Sequence, residues 1–215
     1  QEEINAYKGP NGQLIQPNAK PGDIRYVDTN GDGQITQNDD RQFVSSPWPK
    51  LQAGAQFNAS YNQFTLNVQL VGVFGYTVYN DVRRGLDSYQ LTNFRRAISP
   101  WSPTNMYTTD PRLGLEAGDQ GIISNNFAYT DRWLENASYG RVRNVEVGYT
   151  LPKTLLNQLK MRNVRVYISG QNLFTVTKYS GLDPDVTGAN IQERGVDNGH
   201  WPSPRVVSVG INGEF

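Results

Sequence analysis

Residues 51–74 read LQAGAQFNASYNQFTLNVQLVGVF, and apolar and polar side chains alternate through most of this stretch. In residues 51–61 the odd positions are apolar or aromatic, while the even positions are Gln, Gly, Asn or Ser. After Asn62 and Gln63 the alternation resumes, and a period of two residues is the pattern of a β-strand with two different faces. The stretch therefore predicts two long strands, 51–61 and 64–79, joined by a tight turn.

The same alternation returns three times in the second half of the chain. It predicts further strands at 139–151, 163–176 and 205–215. Leucines at helical spacing within residues 152–162 predict one short helix. Two long irregular segments, 80–132 and 178–204, separate the remaining strands, and segments of this length are rare inside a compact soluble domain. We therefore expect an all-β fold with about five strands.

The connections between these strands alternate between short and long. Up-and-down membrane barrels have this arrangement, with short turns in the periplasm and long loops outside the cell. A strand of about ten residues tilted near 45° rises about 23 Å, close to the ~25 Å apolar band of such barrels. Because membrane barrels need at least about eight strands, we expect the C-terminal strands of a large antiparallel transmembrane β-barrel, with the C-terminus in the periplasm. The absence of an initial Met and of a leader before Gln1 agrees with a longer natural chain.

Composition excludes several classes of function. The 215 residues include 20 basic and 20 acidic side chains, no cysteine and one histidine, His200. Scattered basic residues without net charge do not predict a nucleic-acid partner. The sequence contains no run of 18 apolar residues, so it predicts no transmembrane helix. No nucleophile–base pair, phosphate-binding loop or zinc-ligand spacing is found in the sequence, so we expect no enzymatic activity.

A secreted β-sandwich would show a similar alternation, with its apolar positions facing a core. This alternative corresponds to a secreted calcium-binding β-domain that serves in adhesion or carbohydrate binding. Two features favour the membrane barrel instead. The polar positions are mostly Asn, Gln, Gly, Thr and Ser rather than Lys and Glu, as a water-filled interior tolerates, and the last residue, Phe215, is an aromatic that ends an alternating strand.

A series of short motifs resembles the C-terminal part of SusC/RagA-type TonB-dependent outer-membrane transporters. The motifs are GDIRYVDTNGDG at 22–33, SPWPK at 46–50, RVRNVEVGYTLPK at 141–153, RVYISGQNLFT at 165–175, YSGLDPD at 179–185, PSPR at 202–205 and the terminal Phe215. They cover nearly the whole chain in order. Each motif is weak by itself, but the series is specific.

The resemblance implies a function in nutrient uptake. Such transporters have a barrel of about 22 strands that holds an N-terminal plug, and a SusD-like surface lipoprotein covers the mouth. TonB drives the import of glycans or peptides through them. The expected partners of this segment are the remainder of the barrel and its plug, outer-membrane lipid, the SusD-like lipoprotein, TonB, and the barrel-assembly machinery, which would recognise Phe215.

Residues 1–50 form the expected extracellular region before the strands, and residues 28–39 match a twelve-residue calcium loop of the EF-hand type. Gly33 stands at the sharp turn of position 6. The oxygen ligands predicted for a structural Ca²⁺ are Asp28, Asn30, Asp32, Gln34, Thr36 and Asp39. Position 12 is Asp rather than Glu, and no amphipathic helices flank the loop. A metal-free cluster of Asx turns is the alternative, since Asn and Asp form such turns unaided.

Overall fold

The alternating segments form one continuous antiparallel sheet in the computed structural model, which describes residues 1–36, 38–87, 94–113, 126, 128–186 and 193–215. The strands in this part of the chain are β1 (Leu51–Tyr61), β2 (Phe64–Phe74), β3 (Thr77–Asn80), β4 (Leu134–Asn136), β5 (Tyr139–Thr150), β6 (Asn163–Thr177), β7 (Val196–Asp197) and β8 (Val206–Glu214). The main sheet has the order β1-β2-β5-β6-β8, and every neighbouring pair is antiparallel. A smaller sheet has the order β4-β3-β7.

The chain divides into two units, which we describe separately. The sheet unit comprises Ser46–Tyr79 and Glu135–Phe215, and the loop unit comprises Gln1–Ser45 and Asn80–Leu134. Residues 88–93, 114–125 and 127 of the predicted loop 80–132 lie outside the described residues, as do residues 187–192 of the predicted loop 178–204.

The helices whose bounds lie within the described residues are short. They are α1 (Glu2–Ala6), α2 (Asp81–Asp87) and α3 (Lys153–Leu159), with a 3-10 turn at Asp131–Trp133. Helix α3 lies where the leucine spacing predicted a helix and connects β5 to β6. None of the helices in the described ranges is both long enough and apolar enough to cross a bilayer.

The two ends of the main sheet carry different connections. At one end Asn62, with a positive φ of 51°, turns β1 into β2, and α3 connects β5 to β6. At the other end the segments after β2 and after β6 leave the sheet for their long excursions. We call this second end the loop-side rim. It is formed by the ends of the strands at Leu51, Phe74, Tyr139 and Thr177.

The prediction of one strand over residues 64–79 is wrong beyond Phe74. Strand β2 ends at Phe74, and Gly75 has a φ of +75°, which takes the chain out of the extended conformation. Strand β3 then begins at Thr77 and belongs to the smaller sheet. The alternation misleads here because Tyr76 and Val78 are also apolar at every second position, but they are buried in a core at the rim.

That core is the apolar centre of the sheet unit. Its buried members are Tyr76, Val78, Ala137, Tyr139, Tyr179 and Val186. Val71 and Val73 of β2 pack against it, although both lie on the face of the sheet that is otherwise polar. The polar face therefore becomes apolar where the long connections fold onto it, at the loop-side rim.

A β-bulge interrupts the pairing of β5 with both of its neighbours. The register shifts between Gln69 and Leu70 on β2, and between Val142 and Asn144 on β5, which leaves Arg143 without a paired residue. The sequence carries a signal for this bulge, because Arg143 and Asn144 are two polar residues in a row within an alternating strand.

In the loop unit, a buried carboxylate holds distant segments together. Asp23 accepts hydrogen bonds from the guanidinium of Arg112 at 2.5 Å (Nε) and 3.0 Å (Nη2), and from the amide of Asn126 at 2.8 Å. Trp133 is fully buried in the same unit and donates its indole N–H to the carbonyl of Ala128. The unit is thus fixed by polar contacts as much as by apolar packing.

Candidate functional site

The main sheet has one apolar and one polar face, set by the pleat and by the cross-strand register. Paired residues share a face, so Phe57 and Val68, or Ile168 and Val209, lie side by side on the apolar face. The large side chains of this face are exposed: Phe57 to 59 %, Phe174 to 61 % and Val209 to 77 %. Further exposed members are Leu51, Tyr61, Phe64, Leu70, Phe74, Val147, Val176, Val207 and Ile211.

The polar face is lined by amides, hydroxyls and a few charges. It contains a shallow recess of about 590 Å³ near the middle of the sheet. Residues that line the recess include Gln69, Arg143, Asn144, Tyr167, Gln171 and Ser208. Two faces of such different chemistry, neither covered by a second sheet in the described residues, are the main geometric feature of the sheet unit.

An ion pair crosses the polar face beside the recess. The guanidinium of Arg165 on β6 donates to the carboxylate of Glu146 on β5 at 2.7 Å and to the hydroxyl of Thr65 on β2 at 3.0 Å. To do so it passes over Gly148, where the Cβ of any other residue would collide with it. The three central strands are therefore joined by side chains as well as by their backbones.

A buried arginine fastens the long connection after β6 to the loop-side rim. Arg141 is 7 % exposed and donates to the carboxylate of Asp183 at 2.5 Å, to the hydroxyl of Thr175 at 2.9 Å and to that of Ser203 at 3.2 Å. The other oxygen of Asp183 accepts the backbone N–H of Ser203 at 2.9 Å. Four of the motifs quoted above, at 141–153, 165–175, 179–185 and 202–205, thus meet in one network.

Burial raises the pKa of the Asp183 carboxyl. The N–H groups of Asp185 and Ser203 and the guanidinium of Arg141 lower it by more than burial raises it, so the pKa lies below the usual 3.8. The carboxylate of Asp183 also accepts the backbone N–H of Asp185 at 3.0 Å, which makes this segment a turn.

A second buried contact lies next to the first. The hydroxyl of Tyr179 donates to the carboxylate of Asp197 at 2.6 Å, and burial together with this hydrogen bond raises the pKa of Tyr179. The hydroxyl of Tyr76 donates to the carbonyl of Pro184 at 3.0 Å, which ties the same turn to the start of β3. Specific polar contacts therefore hold the segments of the loop-side rim together.

The loop at 28–39 is closed by hydrogen bonds between its own residues. The carboxylate of Asp28 accepts the N–H groups of Gly31 at 2.7 Å and Gly33 at 2.8 Å, and Asp32 accepts that of Gln34 at 2.8 Å. The amide oxygen of Asn30 accepts the N–H of Asp32 at 3.0 Å. These are the Asx turns that the sequence also allowed.

At the end of this loop the carboxylate that reaches back is Asp40, which the calcium pattern did not include. It accepts the N–H of Thr36 at 2.7 Å and of Thr29 at 2.8 Å, and these hydrogen bonds lower its pKa. Asp39, the predicted ligand at position 12, instead accepts a hydrogen bond from the hydroxyl of Thr36 at 3.1 Å.

Within the described ranges, no three acidic or histidine side chains converge closely enough to hold a metal ion. The six predicted ligands share one loop, and the side chains of four of them accept backbone N–H groups of that loop: Asp28, Asn30, Asp32 and Thr36. The calcium site stays a prediction.

Comparison with known proteins identifies relatives over most of the chain. No family model matches it. It is 30 % identical over 207 residues to TonB-dependent receptor P3 of Formosa agariphila, covering 94 % of this chain and 20 % of the relative. It is 25 % identical over 206 residues to TonB-dependent receptor SusC of Bacteroides thetaiotaomicron, covering 94 % and 19 %.

Among solved structures, the chain resembles the RagAB peptide importer. In the closed-closed state the match has a TM-score of 0.70 and 26 % identity, and it covers 88 % of this chain and 20 % of the other. In the open-open state the TM-score is 0.69 over 85 % of this chain. The chain thus spans about a fifth of the length of these proteins and matches the C-terminal part of the barrel in TonB-dependent receptors.

The Arg141–Asp183 pair gives a testable prediction for the loop-side rim. We expect Arg141→Ala to cost about 3 kcal/mol or more, because it leaves the carboxylate of Asp183 buried without its cation. Cleavage by proteases after β6, within residues 178–204, should accelerate strongly, and limited proteolysis with mass spectrometry measures this. Asp185→Asn is the matched control, since Asp185 is 43 % exposed and 4.0 Å from Arg141. Equal cleavage of both variants would contradict the role of Arg141.

The same pair predicts a pH dependence. Because the folded state lowers the pKa of Asp183, its stabilising effect is complete above the usual value of 3.8 and is lost as the pH falls through the lower folded value. Cleavage of the native protein should therefore be constant between neutral pH and about pH 5, and rise only in stronger acid.

Proposed function

Since this chain is a homologue of SusC/RagA-type TonB-dependent transporters and matches the C-terminal strands of their barrel, we propose that it forms part of the wall of an outer-membrane importer. The observation that carries the proposal is the exposed apolar face of a five-stranded antiparallel sheet, opposite a polar face. In a barrel wall the first face contacts lipid and the second faces a water-filled interior.

Exposure of the apolar face supports contact with lipid. Soluble proteins rarely expose continuous apolar patches larger than a few hundred Å². Here rows of Phe, Leu, Ile and Val on all five strands are exposed together. In hydrocarbon these side chains would be as well placed as in a protein core, and the backbone N–H and C=O groups are satisfied by pairing between strands.

The outer strands of the sheet point to additional strands in the intact protein. Within the described residues, β1 pairs only with β2 and β8 pairs only with β6. Unpaired N–H and C=O groups at a strand edge cost several kcal/mol each in hydrocarbon, so a membrane sheet has to close into a barrel. We infer that further strands of the same barrel pair with β1 and β8, and that a plug fills the interior.

We propose that the loop-side rim is extracellular and that the Asn62 turn, helix α3 and the C-terminus lie in the periplasm. The alternation of short and long connections supports this orientation. In this arrangement a SusD-like lipoprotein covers the rim, and TonB acts on the plug. RagAB, which the chain resembles, is a peptide importer, and this makes peptides one candidate cargo. The family resemblance makes glycans the other. We propose transport without catalysis.

Phe215 is the proposed assembly signal for the barrel-assembly machinery. It follows β8 and its side chain is 85 % exposed. Deletion of Phe215, with the folded fraction in the outer membrane as readout, tests this role directly.

A secreted calcium-binding domain is the alternative function. It requires the apolar rows to pack against a second layer, and in the described residues the buried core lies at the rim rather than over the apolar face. This observation favours the importer.

Two neighbouring positions on β8 test the assignment of the faces. Val209 lies on the apolar face and Ser208 on the polar face, one residue apart near the middle of the strand. We expect Val209→Arg to destabilise the barrel by about 2–4 kcal/mol, as arginine does at the middle of a bilayer, and Ser208→Arg to have a small effect. Urea titration of the intact protein in liposomes, followed by the gel mobility of unheated samples, measures both. A larger cost at Ser208 would reverse the assignment.

Import itself is tested in the source bacterium. We expect deletion of the gene to abolish uptake of one class of labelled cargo, defined peptide or defined oligosaccharide mixtures, and the wild-type gene to restore it. The tagged transporter should isolate together with a SusD-like lipoprotein from detergent-solubilised membranes. Unchanged uptake of both mixtures, with no lipoprotein isolated, would contradict the proposal.

The calcium loop is a separate proposal with its own test. If residues 28–39 bind Ca²⁺, calorimetry of the intact protein should detect a binding heat that the double variant Asp28→Ala, Asp32→Ala lacks. Asp185→Asn is the matched control, because it removes a carboxylate that is 43 % exposed, in the sheet unit and away from the loop in sequence. The expected affinity is near millimolar, as for other extracellular calcium modules. Identical heats for wild type and double variant would rule out the metal.

A further inference from the structure

The β-bulge on β5 places one cation in the recess of the polar face. Arg143 is the unpaired residue of the bulge, and its side chain is exposed and lines the recess. Bulges redirect a side chain relative to the regular pleat, and they are common next to functional sites. The arginine therefore has a position that regular alternation would not give it.

Arg143 makes no hydrogen bond or ion pair with the described residues. One carboxylate, Glu146, lines the same recess, and it is already bound to Arg165 at 2.7 Å. The remaining groups around the recess are neutral amides, hydroxyls and one tyrosine: Gln69, Asn144, Tyr167, Ser169, Gln171, Asn172 and Ser208. The recess thus carries one uncompensated positive charge among groups that form hydrogen bonds.

A second irregularity fixes the other side of the recess. Asn172 on β6 has a positive φ of 51°, and its amide donates to the carbonyl of Pro204 at 3.1 Å. It lies next to Gln171, which pairs with Asn144 across the two strands. The backbone around the recess is therefore held in place from both β6 and the segment before β8.

We propose that Arg143 is a cargo-contacting residue that binds carboxylate groups of an acidic oligomer entering the barrel. This inference rests on the proposed function, in which the polar face lines the interior. A guanidinium matches a carboxylate with two parallel hydrogen bonds. The neighbouring amides of Asn144 and Gln171 can orient the rest of the ligand, as a few polar groups do in most binding sites.

The experiment measures the reactivity of single arginines in the intact transporter, purified in detergent. Phenylglyoxal modifies free guanidinium groups, and peptide mass spectrometry gives the rate at each arginine. The probes are tetraglutamate and an oligogalacturonate, with tetraglutamine and a neutral oligogalactose as their uncharged counterparts. Arg162 is the matched control, because it is exposed and precedes β6 at the opposite end of the sheet from the rim.

We expect Arg143 to react without probe and to be slowed about fivefold by one acidic probe at about four times its Kd. The neutral counterparts should have no effect, and Arg162 should react at the same rate throughout. Arg143→Gln should abolish the binding of that acidic probe measured by calorimetry, while Arg162→Gln keeps it.

Two results would overturn the proposal. Equal rates at Arg143 with acidic and neutral probes mean that the recess does not select carboxylates. An Arg143 that is unreactive in the intact protein before any probe is added is covered by another part of the barrel or plug, and not by cargo. The preparation is first checked for the retarded gel mobility of a folded barrel, so that failure of the membrane assignment is recorded separately from failure at Arg143.

Discussion

Backbone pairing between neighbouring antiparallel strands is the constraint on which the rest of this structure depends. A continuous ladder from β1 to β8 pairs the backbone groups between neighbouring strands, and in the proposed membrane setting every N–H and C=O group needs such a partner inside the protein. Once that ladder is fixed, the pleat places alternate residues on opposite faces. A single sequence pattern therefore provides both an apolar surface and a polar surface, with no need for a buried core beneath the sheet.

At the loop-side rim the backbone pairing of the main sheet ends. Beyond the ladder, the described parts of the long connections pair over short stretches in the smaller sheet β4-β3-β7, and side chains provide further contacts. Arg141 and Asp183 provide one such partnership, and Tyr179 with Asp197 provides another. Because these groups are buried together with the apolar core around Val78, the rim combines apolar packing with specific polar contacts.

The polar face illustrates how two arginines of similar sequence context differ in role. Arg165 is neutralised by Glu146 and lies across Gly148, where it links three strands. Arg143 stands on a bulge, and the described residues supply it with no carboxylate. The first arginine links three strands of the sheet, while the second is the one for which we propose a ligand. Sequence position alone does not separate them, since both lie in alternating strands.

The sequence by itself indicated the five strands of the main sheet, their two faces and the family that the chain resembles. Alternation in residues 51–61 and 163–176 is a local property, because a period of two has one structural interpretation once the segment is long. Only the tertiary structure decided where β2 ends, since Tyr76 and Val78 continue the alternation but pack into the rim. It also decided that Arg141 meets Asp183, 42 residues away, and that Asp40 closes the loop at 28–39. Contacts between segments far apart in the chain depend on register and on the path of the loops, which local patterns do not encode.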